Sequence, residues 1–298
     1  MSRVGSETRG RHSDYRGLLD AMVDAAHKAV GVIQDGASRR DALVWQSKGA
    51  SDYLTEIDTT SERVLREQLL GAFPDGQMLG EEAYQGEAVG SGLWFVVDPL
   101  DGTTNFLHGV QEYAVSIAAL NDGELVAGVV WNAARGDVYT ATRGGGTWLG
   151  DERVRVSNTT DPARALIATG FPYGGNASLD RYAAQFIPVA QATAGIRRAG
   201  AAALDFANLA CGRYDAFWEL SLAPWDIAAG MLMIREAGGL VTDLAGHDAT
   251  LGHDPIVAGN PAMHAWLLQT LQHVETTRGT SAVSPPAPAP ASSNTESN

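Results

Sequence analysis

Apolar residues return at helical spacing early in the chain. Leu18, Leu19, Met22, Val23, Ala26, Val30 and Ile33 mark one face of a helix predicted from about Asp14 to Gln34. Thr59-x-x-Glu62 reads as a capping box that opens a second helix, with Val64, Leu65 and Leu69 behind it. Leu93–Val97 is wholly apolar, the pattern of a buried strand. A meander follows. Tyr113–Leu120 and Glu124–Trp131 flank Asn121-Asp122-Gly123, a hairpin turn, and Asp137–Thr142 and Thr147–Leu149 flank Gly144-Gly145-Gly146. Farther on, strands are predicted at Ala165–Thr169, Ile196–Arg198, Ala216–Glu219, Leu240–Thr242 and Ile256–Ala258. Helices are predicted at Leu179–Ala192, Ala201–Ala210, Trp225–Ala237 and Pro261–Val274. Such alternation predicts a layered α/β unit.

The pattern divides the chain into an N-terminal α+β half, residues 14–155, and a C-terminal α/β half, residues 156–275. The boundary falls in the polar stretch near 150–160. Residues 1–13 and 276–298 read as disordered ends, the second a Pro/Ala/Ser tail.

Composition and charge narrow the function. The 298 residues are 45% hydrophobic and 19% charged, as in a folded globular protein. The net charge is −14, and the first thirteen residues carry +2, so the body is more acidic still. An acidic body repels phosphate backbones, so direct nucleic-acid binding is not expected. If the substrate is anionic, a metal ion is the economical source of positive charge. Cys211 is the only cysteine, which excludes an intrachain disulfide and a multi-cysteine zinc site. No apolar run reaches the ~20 residues of a membrane helix, and no signal peptide is visible, so a cytoplasmic location is expected. Only Lys28 and Lys48 are lysines, which singles out Lys48 in the motif around it.

Candidate chemistry centres on Trp94-Phe-Val-Val-Asp98-Pro99-Leu100-Asp101-Gly102-Thr103-Thr104-Asn105-Phe106. An apolar strand runs into Asp98, Pro99 is expected to turn the chain, and Asp101 follows. Gly102 permits an unusual backbone angle, and Thr103 to Asn105 are helix-capping residues. Two carboxylates thus stand at the carboxyl end of a strand beside a helix start, a place where α/β proteins bind ligands and where free amides suit phosphate. Glu81-Glu82, Asp226 after Pro224-Trp225, and Asp58 after Lys48-Gly49-Ala50-Ser51-Asp52-Tyr53-Leu54-Thr55-Glu56-Ile57 add further acids. Each acid alone reads as a solvated or helix-start residue; Asp58, for one, directly precedes the expected Thr59 cap. Together they make an oxygen-rich set suited to a hard divalent cation such as magnesium.

These motifs, in this order and spacing, resemble the inositol monophosphatase family over about Asp14 to Val274, and most resemble its bacterial SuhB type. The resemblance rests also on Trp225-Asp226-Ile227-Ala228-Ala229-Gly230 with Glu236-Ala237-Gly238-Gly239, on Arg197-Arg198-Ala199-Gly200-Ala201-Ala202-Ala203-Leu204-Asp205, and on Ile256-Val257-Ala258-Gly259-Asn260-Pro261. Two departures stand out: Gln46 replaces the glycine that opens the Lys48 motif, and Ala201 stands where many relatives carry serine.

The resemblance implies an αβαβα sandwich and a magnesium-dependent, lithium-sensitive phosphomonoesterase, usually a homodimer, holding two to three Mg2+ ions. By motif, one ion would take Glu81, Asp98 and the Leu100 carbonyl, and a second Asp98, Asp101 and Asp226. A weaker third would sit near Glu81. Thr103, paired with Asp58, would position and help deprotonate the attacking water, and the Gly102 and Thr103 amides would hold phosphate oxygens. Asp101, Gly200, Ala202 and Glu219 would line the alcohol side. Inositol monophosphate is the leading substrate and histidinol phosphate the first rival. A binding partner of the transcription machinery is the alternative of another class, and a catalytically dead metal scaffold ranks last.

Overall fold

The structure is a computed structural model that describes residues 15–49, 52–86, 88–172, 176–252 and 255–281. Helices α1 (Arg16–Ser38) and α2 (Glu56–Ala72) form its first layer. A seven-stranded sheet forms the second. Its order is β3 (Gln77–Gly80), β4 (Leu93–Asp101), β5 (Ala114–Asn121), β6 (Glu124–Asn132), β7 (Val138–Thr142), β8 (Gly146–Leu149), β9 (Glu152–Val154). Only β3 and β4 run parallel; the rest is an antiparallel meander.

Helices α5 (Ala202–Ala210) and α6 (Pro224–Glu236) form the middle layer. A five-stranded sheet follows, in the order β11 (Gly195–Arg197), β10 (Leu166–Thr169), β12 (Ala216–Glu219), β14 (Ile256–Gly259), β13 (Leu240–Asp243). The last layer is α4 (Asn176–Ala192) and α7 (Pro261–Ser281). A short helix α3 (Thr103–His108) and a hairpin, β1 (Gln46–Gly49) with β2 (Asp52–Leu54), flank the end of β4. The architecture is the expected layered αβαβα sandwich.

Five layers explain the apolar strands. In β4, Phe95 and Val97 pack under α1 and α2, while Trp94 and Val96 face α5 and α6. Both faces are covered, so the strand alternates sides without alternating polarity. Helix α6 lies between two sheets and is buried from Ile227 to Ile234, which is why its sequence lacks a polar face. Among the described residues, no helix is long and apolar enough to cross a membrane.

Three expectations are corrected. Helix α2 starts at Glu56, not Thr59. Thr55 is its cap, accepting from Ile57 N at 3.1 Å, and Asp58 closes the box by accepting from Thr55 N at 2.8 Å. Asp58 therefore lies inside the helix, and Glu62, freed from capping, does other work. Pro99 does not end β4. The strand continues through a bulge between Asp98 and Asp101, and β3 has already ended opposite Val97, so the missing Pro99 N–H breaks no ladder on that side. Helix α7 continues past Val274 to Ser281; the rest of the expected tail, and residues 1–13, lie outside the described residues. The 121–124 hairpin is as expected, with Asp122 and Gly123 both at positive φ.

Helices α5 and α6 pack closely at Gly230. A β-carbon added at Gly230 would stand 2.7 Å from Phe206 Cδ1 and Cγ. Gly230→Ala is expected to lower unfolding stability by about 1–3 kcal/mol, read from urea denaturation, because the buried Phe206 ring has no room to withdraw.

Candidate active site

Three helices and one strand aim their ends at the same place. Strand β4 delivers Asp98, the Leu100 carbonyl and Asp101; α3 begins just beyond it; α5 and α6 present their N-termini from the other side. Together they line a cavity of about 650 Å3. Glu81, Asp98, Leu100, Asp101, Gly102, Thr103, Gly200, Ala202, Glu219 and Asp226 all face it. Residues nearly 150 positions apart in sequence are thereby brought together.

Three of the carboxylates accept from backbone amides. Asp98 Oδ1 accepts from Leu100 N at 2.9 Å, the contact that shapes the bulge. Asp101 Oδ2 accepts from Ala203 N at 2.9 Å and so caps α5 from another element. This accounts for Ala201, the N-cap of α5, making no side-chain cap of its own. Asp226 Oδ2 accepts from Ala223 N at 2.7 Å at the start of α6.

Gly102 is the pivot of the turn. Its φ is +85°, and an added β-carbon would meet Glu112 O at 2.7 Å, so glycine is required for angle and for space. Beneath it, Thr103 Oγ1 lies 2.9 Å from Asp58 Oδ1 and 3.0 Å from Leu100 O. Thr55 holds the other Asp58 oxygen, its hydroxyl donating at 2.6 Å. Asp58 thus reaches the cavity only through Thr103.

Several positioning residues escaped the sequence reading. Glu62 is buried on α2 and accepts from Glu82 N at 2.7 Å, so it orients the Glu81-Glu82 turn; Gly80 makes room for its carboxylate. Ser61 donates to Pro99 O at 2.8 Å. Asn105 donates to Ala199 O at 2.9 Å and Glu112 O at 2.7 Å, tying α3 to the segment before α5. Asn105 lay within the central motif, but nothing in its spacing announced these partners. Lys48 lies on β1, and its side chain is outside the described residues; from that hairpin Tyr53 reaches the cavity.

Burial and crowding govern the electrostatics. Asp98, 2% exposed, is pushed well above the usual carboxylate range by burial and then by the charges of Glu81, Asp101 and Asp226. Burial raises Asp101 to about 7 against the opposing pull of its α5 amides. Asp58 is raised by burial, with the Thr55 and Thr103 hydroxyls working against it.

The fit to a metal follows from this donor set. It is all oxygen, carboxylate and carbonyl, crowded and of one sign, which is what a hard divalent cation binds. Among the described residues no three histidine, cysteine or acidic side chains already form a closed metal cage. Magnesium does not require one, since waters and substrate phosphate complete its shell.

The pH dependence has a definite sign. A carboxylate raised in the folded state keeps its proton there after the unfolded chain has lost it. From the unfolded value near 3.8 up to about 7, the folded state binds more protons, so stability falls as pH rises. Chelator-treated protein is expected to melt several degrees lower at pH 7.5 than at pH 5, with Asp101→Asn flattening the slope. Thermal melts at the two pH values check this, and a rising stability would contradict it.

Against known proteins, the sequence pattern of the inositol monophosphatase family matches residues 14–276. A relative from Pseudomonas aeruginosa named Nus factor SuhB is 44% identical over 86% of this chain and 96% of its own. A relative from Rhizobium meliloti named inositol-1-monophosphatase is 42% identical, over 86% and 96%. The crystal structure of the extragenic suppressor protein SuhB from Bartonella henselae is 40% identical and superposes with a TM-score of 0.82, over 86% of this chain and 98% of that one.

Proposed function

This chain belongs to the inositol monophosphatase family, and from that premise we propose that it is a magnesium-dependent phosphomonoesterase that hydrolyses inositol monophosphate. The observation that carries the reading is the convergence of Glu81, Asp98, Asp101 and Asp226 on one cavity, with the Thr103–Asp58 pair at its edge.

Glu81, Asp98, the Leu100 carbonyl, Asp101 and Asp226 would hold two to three Mg2+ ions. When bound, the ions supply the charge that offsets the phosphate oxygens and make water acidic enough to attack near neutral pH. The protein's own groups do the positioning. Thr103 donates its hydroxyl proton to Asp58, which turns an oxygen lone pair towards the attacking water. Asp58 is suited to take up the proton that passes through Thr103, because burial raises its affinity for one. Glu81 accepts from the same water. The Gly102 and Thr103 amides hold phosphate oxygens, and Asp101, Gly200, Ala202 and Glu219 face the alcohol. Phosphoryl transfer asks for positioning and charge balance more than covalent chemistry, and these residues provide both. A homodimer, cytoplasmic location and lithium inhibition belong to the same reading.

Phosphate release is to be measured with and without magnesium on inositol 1-phosphate, histidinol phosphate, glycerol 2-phosphate and adenosine 3′,5′-bisphosphate. Magnesium-dependent release led by inositol 1-phosphate is expected. Release led by histidinol phosphate would keep the chemistry and change the substrate. Asp226→Asn is expected to cut kcat/KM by about a hundredfold or more while the fold survives, since asparagine still offers α6 an acceptor. Unchanged turnover at saturating magnesium would remove Asp226 from the metal set.

A second reading rests on the Pseudomonas aeruginosa relative's name: a binding partner in transcription. An Asp98→Asn protein that releases no phosphate yet rescues a deletion strain would favour it.

A further inference from the structure

The acids of the cavity stand on two separate bodies of the fold. Glu81, Asp98 and Asp101 come from the seven-stranded sheet and the turn after β3, whereas Asp226 comes from the N-terminus of α6. Asp98 feels the charges of both Glu81 and Asp226, so the two bodies repel each other here until a cation lies between them. A contact that holds them together beforehand lowers the cost of binding one.

From the sheet side the Glu81-Glu82 turn is tied through its backbone. Glu81 N donates to Val97 O at 3.2 Å, and Glu82 N donates to the Glu62 carboxylate. Beyond the turn, Ala83 to Gly86 run exposed and outside any helix or strand. In this stretch Tyr84 reaches the other body. Its ring meets the Trp225 ring edge to face, with centroids 5.2 Å apart and planes at 66°. Trp225 directly precedes Asp226, lines the cavity and packs against the central apolar core. Its carbonyl accepts from Ser116 Oγ at 3.4 Å. Tyr84 itself does not line the cavity. The ring pair therefore joins a point three residues past Glu81 to the residue next to Asp226, and does so from outside the cavity.

We propose that Tyr84 is a positioning residue for the metal set: its ring, braced on Trp225, holds the Glu81 turn against the start of α6, so that Glu81 and Asp226 are gathered before magnesium arrives. The proposal rests on the phosphomonoesterase reading and deepens it, since magnesium is the ion that reading places among these acids. The contact uses the tyrosine ring and not its hydroxyl. At saturating magnesium the acids are held by what they ligate, so the effect falls on magnesium affinity rather than on kcat.

The test titrates magnesium against the full chain and reads two quantities: melting temperature without substrate, and phosphate release from the ester turned over fastest. Tyr84 is 39% exposed, so Tyr84→Ala should fold. It is expected to raise the magnesium concentration for half of the melting-temperature gain about fivefold, and that for half-maximal release by the same factor, with kcat at saturating magnesium within about twofold of native. Tyr84→Phe is expected to stay within about twofold of native on both readouts. In a Trp225→Leu background Tyr84→Ala is expected to add less than about twofold, because the ring it leaned on is gone. Tyr84→Ala leaving both magnesium midpoints within about twofold of native, even if it melts lower in chelator, would overturn the proposal alone and make the ring pair a stabilising surface contact. An equal rise in Tyr84→Phe would also overturn it, by moving the role to the hydroxyl. A native chain whose melting temperature and phosphate release both ignore magnesium would overturn the phosphomonoesterase reading and this proposal with it.

Discussion

Carboxylates of one sign are held against each other in a buried cavity, and the backbone is what makes this bearable. Asp101 draws on the amides that open α5, Asp226 on those that open α6, and Asp58 on those that open α2. Each helix start offers unsatisfied N–H groups and the positive end of a dipole. The amides offset part of the repulsion but do not cancel it, because Asp98 and Asp101 remain well above the ordinary carboxylate range. The remainder is an attraction for cations built into the fold.

The layered architecture follows from that requirement. Helix starts from opposite sides of a sheet meet only at the end of a strand, and β4 reaches that end through a bulge that turns Asp98 and Asp101 into the same cavity. The sandwich holds this geometry rigidly, since β4 is packed on both faces and α6 is enclosed by two sheets. Glycines sit where backbones must come close: Gly102 at the turn, Gly230 against Phe206. The cavity is therefore asymmetric. One side is crowded with carboxylates on amide supports, and the other is lined by Asp205, Glu219 and Arg198.

The site was legible in the sequence to an unusual degree, because Asp98-Pro99-Leu100-Asp101-Gly102-Thr103 packs strand end, bulge, pivot and helix start into six residues. Less of the support was legible. Glu62 was read as a capping residue three positions after Thr59, whereas it holds the Glu81-Glu82 turn from α2. A buried acid and a capping acid carry the same letter, and only the partner across space tells them apart. Pro99 was read as a strand end for a similar reason: the sequence does not show that β3 stops short and leaves that edge open. Asp205 lies within the Arg197–Asp205 motif, and nothing local marks its Oδ1 as lacking a partner among the described residues.

By itself the sequence determined the elements, the apolar layers and the set of oxygen-bearing side chains, since these follow from hydrophobic period, turn chemistry and residue type. Tertiary structure alone decided that Asp101 caps α5 from another element, that Glu62 holds the Glu81-Glu82 turn, and that Asn105 ties α3 to the segment before α5. The physical reason is range. Periodicity and capping are set within a few residues along the chain. The charge balance of a cavity is set by groups within a few ångströms, and here those groups come from four separate stretches of sequence.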